Sequence, residues 1–390
     1  MQSNSEMTEI VEGSTRLIVP ARSLTEQVPP KVPVFFNPAA RQSRNLSIVA
    51  YNAFSGDLQK LKVRNFADAF AGVGSRALRA AVEVKSLDQV YINDINPIAI
   101  DTAKQAAQLN SVSDKCVFSE NEVCRFLLGG SRPKGSADDE WERFAIVDLD
   151  PFGTPARHID CVLRSVIDGG MISITATDTA VLCGIYPEVC MRRYYGKPLN
   201  CEYGNEIALR LLISLIAMTA SRLELSIEPL FSHSDMHYLR VYAKVSVSSS
   251  EANNVFQNIG YVKHCFGCGN RVQAGEPCTS SCELCGGRMA IGGQLWTGEI
   301  SSKDFVSSMS DQATDRYCRR IITAAAQDLS EIPYYFTVDE VAKMLKRNPH
   351  SVLQTVEVLR AVGFQASVTP LNSAGFKTNA GLGEILRLLR

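Results

Sequence analysis

The chain has 390 residues and a formal net charge of −1, with 45% hydrophobic and 21% charged residues. This length allows two or three domains with a sizeable core, and the composition is ordinary for a globular protein. The overall charge therefore does not indicate a nucleic-acid partner, which would have to meet a local basic surface. We expect no membrane span, because the longest apolar run, near residues 209–218, fits a buried helix. Residues 1–12 are polar and lack the apolar segment of a signal peptide.

The first 33 residues contain a candidate strand at 14–19 and then a proline-rich stretch. From about residue 60, short apolar runs typical of buried strands alternate with helical patterns. The predicted strands are 65–70, 89–93, 116–119, 144–148 and 171–175. The predicted helices between them are 76–84, 98–109, 123–128 and 155–167. This alternation predicts a parallel sheet with helices on both faces.

The second half of the chain changes character. A long helix is predicted at 204–222, followed by strands 225–229 and 238–247 that would add an antiparallel edge pair. Residues 131–140 have the composition of an exposed loop, and the polar stretch 246–254 is the best domain boundary. We therefore predict an N-terminal extension that contributes to the active site (1–60), a sheet domain (61–249) and a C-terminal domain (250–390).

A glycine-containing loop follows the first strand of the alternating block and opens a helix. Gly72 and Gly74 allow close backbone approach to a ligand at the helix N-terminus. The next strand places Asp94 22 residues after Gly72, where a carboxylate can bind ribose hydroxyls. These features fit either adenosylmethionine or a dinucleotide. The structural alternative for Asp94 is a cap on the helix that follows Asn96 and Pro97.

The sequence Asp-Pro-Phe-Gly at 150–153 follows the apolar strand 144–148. It brings a carboxylate, a proline carbonyl and an aromatic ring to a strand end. Enzymes that methylate exocyclic amines of nucleobases need acceptors for the amine protons and a ring that stacks on the base. A dehydrogenase would need a hydride-transfer partner, and none of the five histidines lies in a clear strand-end position. The local alternative is a turn in which Thr154 caps a helix and Pro155 is its first residue.

Twelve cysteines are distributed in two ways. Six lie in apolar or helical segments, where reduced cysteine behaves as a small hydrophobic residue: Cys116, Cys124, Cys161, Cys183, Cys190 and Cys201. Two C-x-x-C pairs, separated by thirteen residues, predict a tetrahedral structural zinc site in a ribbon at 260–295: Cys265, Cys268, Cys282 and Cys285. A redox C-x-x-C is the competing interpretation, and His264 or Cys278 could substitute as a ligand. The distribution favours a reducing cytoplasm.

The C-terminal tail at 337–360 resembles a helix-turn-helix of the winged type. Four basic residues in this segment or after it are candidates for phosphate contacts: Lys343, Lys346, Arg347 and Lys377. A solvated charged face is the alternative for each of them.

Taken together, the motifs resemble those of the tRNA guanine-26 N2-dimethyltransferase family. Besides the glycine loop, Asp94 and the Asp-Pro-Phe-Gly corner, four segments match: Phe35-Phe36-Asn37-Pro38 followed by Arg44, Gly74 to Arg79, Tyr203 to Glu206, and Gly375 to Thr378. The resemblance covers about residues 10–380. It implies a Rossmann-like class I methyltransferase sheet with an N-terminal extension, followed by a C-terminal domain that carries the four-cysteine zinc ribbon and a winged-helix-like α+β tail.

The resemblance also implies residue roles. Contacts to adenosylmethionine are expected at Arg44, Arg76, Asp94, Glu122 and Val123. After the third strand the family has Asp-Ala where this chain has Glu120-Asn121-Glu122-Val123, so Glu120 is an alternative to Glu122. Asp150 would be the catalytic carboxylate, with Phe35 and Phe152 flanking the target guanine. A second departure lies at 369–372, where the family usually shows Thr-His.

The predicted function is methyl transfer from S-adenosyl-L-methionine to the exocyclic N2 of guanine 26 in tRNA. Products would be N2-methylguanosine and N2,N2-dimethylguanosine. One alternative is another nucleic-acid amino-methyltransferase, acting on adenine N6 or on a different tRNA guanine. A second is a non-catalytic zinc-ribbon RNA-binding protein. The predicted partner is tRNA, and the sequence implies neither a protein partner nor a membrane.

Overall fold

A computed structural model describes residues 6–129, 143–235, 237–313 and 315–390. The predicted loop at 131–140 lies outside these residues. The strands are β1 Met7–Glu12, β2 Thr15–Pro20, β3 Asn65–Asp68, β4 Gln89–Asn93, β5 Cys116–Ser119, β6 Phe144–Leu149, β7 Val166–Ala176, β8 Leu225–Asp235, β9 Tyr238–Val247, β10 Ile259–His264, β11 Arg271–Ala274, β12 Ala290–Trp296, β13 Phe336–Thr337, β14 Ala366–Val368 and β15 Gly375–Thr378.

The helices fall between these strands in the order predicted for the alternating block. They are α1 Arg22–Thr25, α2 Arg41–Ala53, α3 Ser55–Leu58, α4 Ser75–Glu83, α5 Pro97–Leu109, α6 Val123–Leu127, α7 Ile159–Ser165, α8 Thr179–Leu182, α9 Pro187–Tyr194, α10 Gly204–Ser221, α11 Ser249–Asn254, α12 Lys303–Ser310, α13 Arg316–Gln327, α14 Val338–Leu345, α15 Val352–Ala361 and α16 Leu382–Leu388. Short 3-10 turns lie at Pro38–Ala40, Ser113–Lys115, Ala156–His158 and Val255–Asn258.

A seven-stranded sheet with the strand order β5-β4-β3-β6-β7-β9-β8 forms the centre of the molecule. The first five strands are parallel, and β9 and β8 continue the sheet in antiparallel pairing. Every residue of β3 and β6 is buried, as expected for strands covered on both faces. The predicted parallel sheet with an antiparallel edge pair is confirmed. Because the carboxyl ends of β3, β4 and β6 meet at one edge, their following loops share a site.

The N-terminal extension begins with a hairpin in which β1 pairs with β2 across Gly13, whose φ is +59°. The sequence analysis predicted only the second strand. Strand β1 contains two glutamates and a threonine among three apolar residues, so it lacks the apolar run that indicates a buried strand. Helix α2 follows the hairpin, and its buried face joins the core cluster shared by α4, α5 and β3.

Helix α10 is long and apolar enough to span a membrane by length and composition, yet 78% of that segment is buried inside the protein. It packs against β8, β9 and β12 and belongs to the larger hydrophobic core. The predicted buried helix is confirmed.

The region after the predicted boundary joins the sheet domain through two cores. Leu295 and Trp296 of β12 pack in the cluster that contains α10, and Phe305 of α12 packs in the cluster that contains α2. The last part of the chain, from about Phe336, has a hydrophobic cluster of its own, and a small separate cluster surrounds the two cysteine pairs. The stretch 246–254 contains α11 rather than an irregular linker. The three-part domain division stays a prediction.

The segment after the Asp-Pro-Phe-Gly corner differs from its prediction. A 3-10 turn at Ala156–His158 leads into α7, and β7 already begins at Val166, so the predicted helix 155–167 is shorter. Pro155 occupies the capping position rather than the first helical position. Thr154 still contributes locally, because its hydroxyl accepts a hydrogen bond from the Ala156 N–H at 3.3 Å.

One pair of cysteines departs from the prediction that they are reduced. Cys124 of α6 and Cys161 of α7 form a disulfide, with their Cα atoms 5.4 Å apart. They are separated by 37 residues, and only the packing of α6 against α7 brings them together. Sequence spacing could not reveal this contact. Cys116, Cys183, Cys190 and Cys201 are free, as predicted.

Candidate active site

A cavity of about 560 Å³ opens where the loops after β3, β4 and β6 meet the N-terminal extension. It brings together six of the residues singled out in the sequence: Phe35, Arg44, Arg76, Asp94, Asp150 and Phe152. Gly72 and Ser75 of the glycine loop line it as well. The convergence of these distant segments identifies this cavity as the candidate active site.

A second cavity of about 320 Å³ adjoins the first and shares Phe70, Pro151 and Phe152 with it. Glu122 and Val123 both line this second cavity, whereas Glu120 is not among its lining residues. Glu122 also caps α6, because its carboxylate accepts a hydrogen bond from the Arg125 N–H at 3.0 Å. The placement favours Glu122 over Glu120 for the predicted acidic contact.

Asp94 holds the glycine loop in place. One carboxylate oxygen accepts a hydrogen bond from Gly72 N–H at 2.8 Å, and the other accepts one from Asn96 N–H at 2.9 Å. Asn96, not Asp94, caps α5, accepting from the Ile98 N–H at 3.1 Å. Gly74 has φ +77°, and a Cβ there would lie 2.9 Å from the Ala103 side chain. The loop therefore requires glycine at this position.

Asp150 forms an ion pair with the buried guanidinium of Arg76. The same guanidinium lies 3.3 Å from Asp148 and bonds to the Ser47 hydroxyl. Burial alone would raise the pKa of Asp150, but the charges of Arg76 and Arg240 outweigh it and hold the pKa below its ordinary value. Asp150 is therefore an ionised hydrogen-bond acceptor at neutral pH. Arg76 was expected to contact the cofactor; the structure also gives it the task of positioning Asp150.

Arg240 is a residue that the sequence analysis missed. It lies on β9, is completely buried, and ion-pairs with Asp148. Its guanidinium also donates to Ser173 at 2.6 Å and to Tyr51 at 3.2 Å. The signal in the sequence is an arginine in the otherwise apolar and aromatic run 238–243, a position that burial normally excludes. Arg240 neutralises the carboxylate of Asp148 directly beneath the corner.

Asp68, at the end of β3, lies close to the same carboxylates and is 2% exposed. Burial and the negative charge of Asp148 raise its pKa well above the ordinary value. Asp68 therefore takes up a proton more readily than an exposed aspartate would.

Arg44 is anchored by partners within the protein. Its guanidinium donates to both oxygens of Glu12, at 2.8 and 2.5 Å, and to the backbone carbonyl of Asn37 at 3.1 Å. It also lies over the Phe36 ring, 4.9 Å from the centroid. These contacts join β1 to the Phe-Phe-Asn-Pro segment at the edge of the cavity. A contact from Arg44 to adenosylmethionine stays a prediction.

Phe35 and Phe152 meet edge to face, with their ring centroids 4.7 Å apart. Phe152 is 64% exposed and Lys31 lies 5.1 Å from its ring centroid. The rings leave no space for a base between them in this arrangement. A base can lie between them, as predicted, only if the rings separate.

The lining residues that were not predicted include Thr175, Thr177, His237 and Tyr238. Thr177 accepts a hydrogen bond from Gly153 N–H at 2.7 Å and so fixes the turn after Phe152. His237 was given no role from the sequence, because this residue only lies next to a predicted strand. Its side of the cavity is formed by β7 and the β8–β9 turn, which only the antiparallel pairing brings to the site.

The two C-x-x-C pairs come together as predicted. The four sulfur atoms of Cys265, Cys268, Cys282 and Cys285 all lie within 4.8 Å of one another. Gly269 and Gly286 follow the pairs with φ +77° and +72°, which permits the tight turns of a zinc knuckle. Four thiols in this arrangement fit a tetrahedral zinc ion.

The alternative ligands lie apart from this cluster. His264 hydrogen-bonds through Nδ1 to the Tyr203 hydroxyl at 3.1 Å, and Cys278 is exposed with its thiol on Glu276. Neither belongs to the four-thiol group within the described residues.

Lys377 is not available to phosphate, contrary to the prediction. It is completely buried and lies 3.1 Å from Asp328 and 3.5 Å from Glu206. Glu206 in turn bonds to Arg210 at 2.8 Å and accepts from Tyr335 N–H at 3.0 Å. The two motif segments 203–206 and 375–378 therefore meet in one buried ionic cluster that fastens the tail to α10. Lys343, Lys346 and Arg347 remain exposed.

Comparison with known proteins agrees with this geometry. The family model for N2,N2-dimethylguanosine tRNA methyltransferases matches residues 13–390. The tRNA (guanine(26)-N(2))-dimethyltransferase of Methanothermobacter thermautotrophicus is 33% identical over 98% of this chain and 98% of that protein. The tRNA (guanine(26)-N(2)/guanine(27)-N(2))-dimethyltransferase of Aquifex aeolicus is 30% identical over 98% of this chain and 95% of that protein.

A solved structure extends the agreement to the fold. Trm1 from Pyrococcus horikoshii, in complex with S-adenosyl-L-methionine, superposes with a TM-score of 0.82 at 24% identity, covering 98% of this chain and 99% of that one. The predicted Rossmann-like methyltransferase fold and the resemblance drawn from the motifs are both confirmed. The chain belongs to the N2,N2-dimethylguanosine tRNA methyltransferase family.

Proposed function

We propose that this chain transfers methyl groups from S-adenosyl-L-methionine to the exocyclic N2 of guanine 26 in tRNA, giving N2-methyl- and N2,N2-dimethylguanosine. The observation that carries the proposal is that Asp150 lines one cavity with Asp94 and the glycine loop. An acceptor for amine protons thus lies beside a loop suited to a nucleoside cofactor. The names of the relatives supply the substrate and the position.

Adenosylmethionine supplies an electrophilic methyl group when it is bound. Asp94 is suited to its ribose hydroxyls, because its carboxylate is fixed by Gly72 and Asn96 at the cavity wall. Glu122 and Val123, in the adjoining cavity, are suited to the adenine. Arg44 and Arg76 line the first cavity and complete the proposed contact set.

Asp150 is the proposed catalytic carboxylate. The lone pair of guanine N2 is delocalised into the ring, so prior deprotonation gains little, and alignment of N2 with the methyl carbon matters more. An ionised Asp150 accepts an N2–H bond, stabilises the positive charge that develops on nitrogen, and takes the proton afterwards. The Pro151 carbonyl is proposed to accept the second N2–H.

Phe35 and Phe152 are proposed to flank the guanine. Stacking of a base on an aromatic ring contributes about 1–3 kcal/mol in single-stranded recognition. The base must leave the tRNA stack to reach Asp150, and the exposed Phe152 ring gives it a surface to stack on.

The four-cysteine cluster is proposed to hold a structural zinc ion. All four ligand positions would be thiolates, which leaves no open position for catalysis. The reaction is proposed to take place in the cytoplasm with tRNA as the partner.

Product identity tests the proposal against its alternatives. The protein is incubated with isotopically labelled adenosylmethionine and unmodified tRNA, and the labelled nucleosides are identified by mass spectrometry. We expect N2-methyl- and N2,N2-dimethylguanosine. Label in N6-methyladenosine would support the adenine alternative, and no transfer with intact RNA binding would support the non-catalytic one. Either result contradicts the proposal.

A further inference from the structure

A groove of about 740 Å³ lies beside the Asp-Pro-Phe-Gly corner, between α7, α9 and α10. Its lining contains one carboxylate, Asp160, and four arginines: Arg157, Arg192, Arg193 and Arg222. We call this cavity the arginine groove. The net charge of the chain is −1, so the overall composition does not explain this local excess of positive charge.

Two of the four arginines are free to bind a ligand. Arg222 pairs with Asp160 at 2.5 Å, and Arg193 pairs with Asp178 at 3.1 Å. Arg157 and Arg192 are exposed and have no ion pair within the part of the chain that the structure describes. Solvated guanidinium groups that face a groove are suited to bidentate contacts with phosphate oxygens.

The arginine groove is physically connected to the active site. Thr154 and Arg157 line both this groove and the 320 Å³ cavity beside Phe152. The Tyr194 hydroxyl joins α9 to the corner, bonding to the Thr154 hydroxyl at 2.8 Å and donating to Asp178 at 2.6 Å. These hydrogen bonds therefore fix the position of the α9 arginines relative to the loop that carries Asp150.

The lining chemistry points to a nucleic-acid backbone. The four guanidinium groups come from α9 and from the segments that flank α7 and α10, which fits an extended polyanion better than a single phosphate. Tyr195, which is 69% exposed at the end of α9, adds an aromatic ring to the same wall. Arginine interleaved with an exposed aromatic ring is typical of surfaces that bind single-stranded or distorted RNA.

We infer that the arginine groove binds the phosphodiester backbone of the tRNA next to the guanine that enters the active site, with Arg157 and Arg192 as phosphate ligands. The inference rests on the proposed function, because it takes the bound polyanion to be the tRNA substrate. Holding the backbone on both sides of an extruded nucleotide would stabilise the open conformation of the stem.

The test is the double variant Arg157→Ala/Arg192→Ala in the full chain, compared with Lys60→Ala/Arg64→Ala. The control removes two exposed positive charges that precede the amino end of β3, whereas the corner with Asp150 follows the carboxyl end of the neighbouring parallel strand β6. Dissociation constants for unmodified tRNA are measured over a series of salt concentrations, together with KM and kcat. We expect the groove variant to bind tRNA about tenfold more weakly at about 0.1 M salt, with a salt slope lower by about two. The loss should fall on KM for tRNA more than on kcat, and the affinity for adenosylmethionine should stay as in the unmodified protein.

Identical tRNA affinity and salt slope in the groove variant and the control would overturn the inference. Should the double variant lose thermal stability relative to the control, Arg192→Gln alone takes its place, with an expected loss of about threefold and a slope lower by about one. If the unmodified protein methylates no tRNA while the groove variant alone loses RNA affinity, the proposed function fails and the RNA-binding surface stands.

Discussion

The ionisation of Asp150 is set by buried arginine side chains that contact its carboxylate or lie close to it. Arg76 contacts it directly and Arg240 adds a second positive charge from beneath, so a carboxylate at the cavity wall stays ionised. Asp-Pro-Phe-Gly alone predicted the acceptor and the ring. It could not predict the ionisation, which depends on side chains from α4 and β9.

Replacement of Asp150 with asparagine removes the proton acceptor but keeps the size of the side chain. We expect kcat to fall by about 10²–10⁴-fold, the range for loss of a general base, with little change in adenosylmethionine binding. Steady-state methyl transfer and calorimetric titration of the cofactor measure the two effects. Asp101→Asn, an exposed change on α5, is the control and should behave as the unmodified protein. Full turnover by Asp150→Asn would remove the carboxylate from the mechanism.

The pH dependence of activity should reflect Arg76. Because the pKa of Asp150 is lowered, its carboxylate becomes protonated only when the pH falls below the usual range for carboxyl groups. Any contribution of the ion pair to the free energy of unfolding is likewise present above that range, and it is lost as the pH falls through the lowered pKa of Asp150. Arg76→Gln should raise the pKa of Asp150 and move the acidic limb of kcat/KM to higher pH. An unmoved limb in a variant shown to be folded would contradict this positioning role.

At the scale of elements, the buried cluster of Glu206, Asp328 and Lys377 joins α10 to the tail. Lys377→Met would leave two buried carboxylates without their shared cation. We expect a loss of about 3–5 kcal/mol in the free energy of unfolding, measured by urea denaturation. Lys343→Met, an exposed change on α14, should cost little. Equal stability of the two variants would show that the cluster does not stabilise the packing of the tail against α10.

The zinc ribbon gives a second prediction at this scale. Cys282→Ser should reduce bound zinc from about one ion per chain to a small fraction and lower the thermal unfolding temperature, because three thiolates hold the ion poorly. Cys278→Ser is the matched control, since this exposed cysteine lies outside the four-thiol group. The zinc content per chain is measured by metal analysis. An unchanged zinc content in Cys282→Ser would refute the ligand set.

Element prediction succeeded where the local pattern marks the strand and failed where tertiary contacts decide the outcome. Strands β4, β5 and β9 have their predicted bounds, although only part of each strand is buried. Strand β1 was missed because its two glutamates interrupt the apolar pattern, whereas β2 of the same hairpin was predicted. The tail residue Lys377 was misassigned as a surface charge, since its partners lie 49 and 171 positions away and no local signal marks them.

At the scale of the whole molecule, the active site is assembled from parts that are distant in the chain. Phe35 comes from the extension, Asp94 and Asp150 from the sheet, and His237 from the turn between the antiparallel strands. The local sequence motifs identified Asp94, Asp150 and the glycine loop. The shape of the cavity, the network around Arg240 and the arginine groove needed the folded chain. The sheet domain and residues 259–325 pack together, because they share two hydrophobic cores.

Position within the tRNA is the most direct test of the central claim. Methylation is measured on an unmodified tRNA transcript and on a matched transcript in which guanine 26 is replaced by adenine, with fragments mapped by mass spectrometry. We expect mono- and dimethylated guanine at position 26 of the first transcript and loss of that product in the second. Methylation that persists undiminished in the second transcript, or that maps only to another nucleotide of the first, would contradict it.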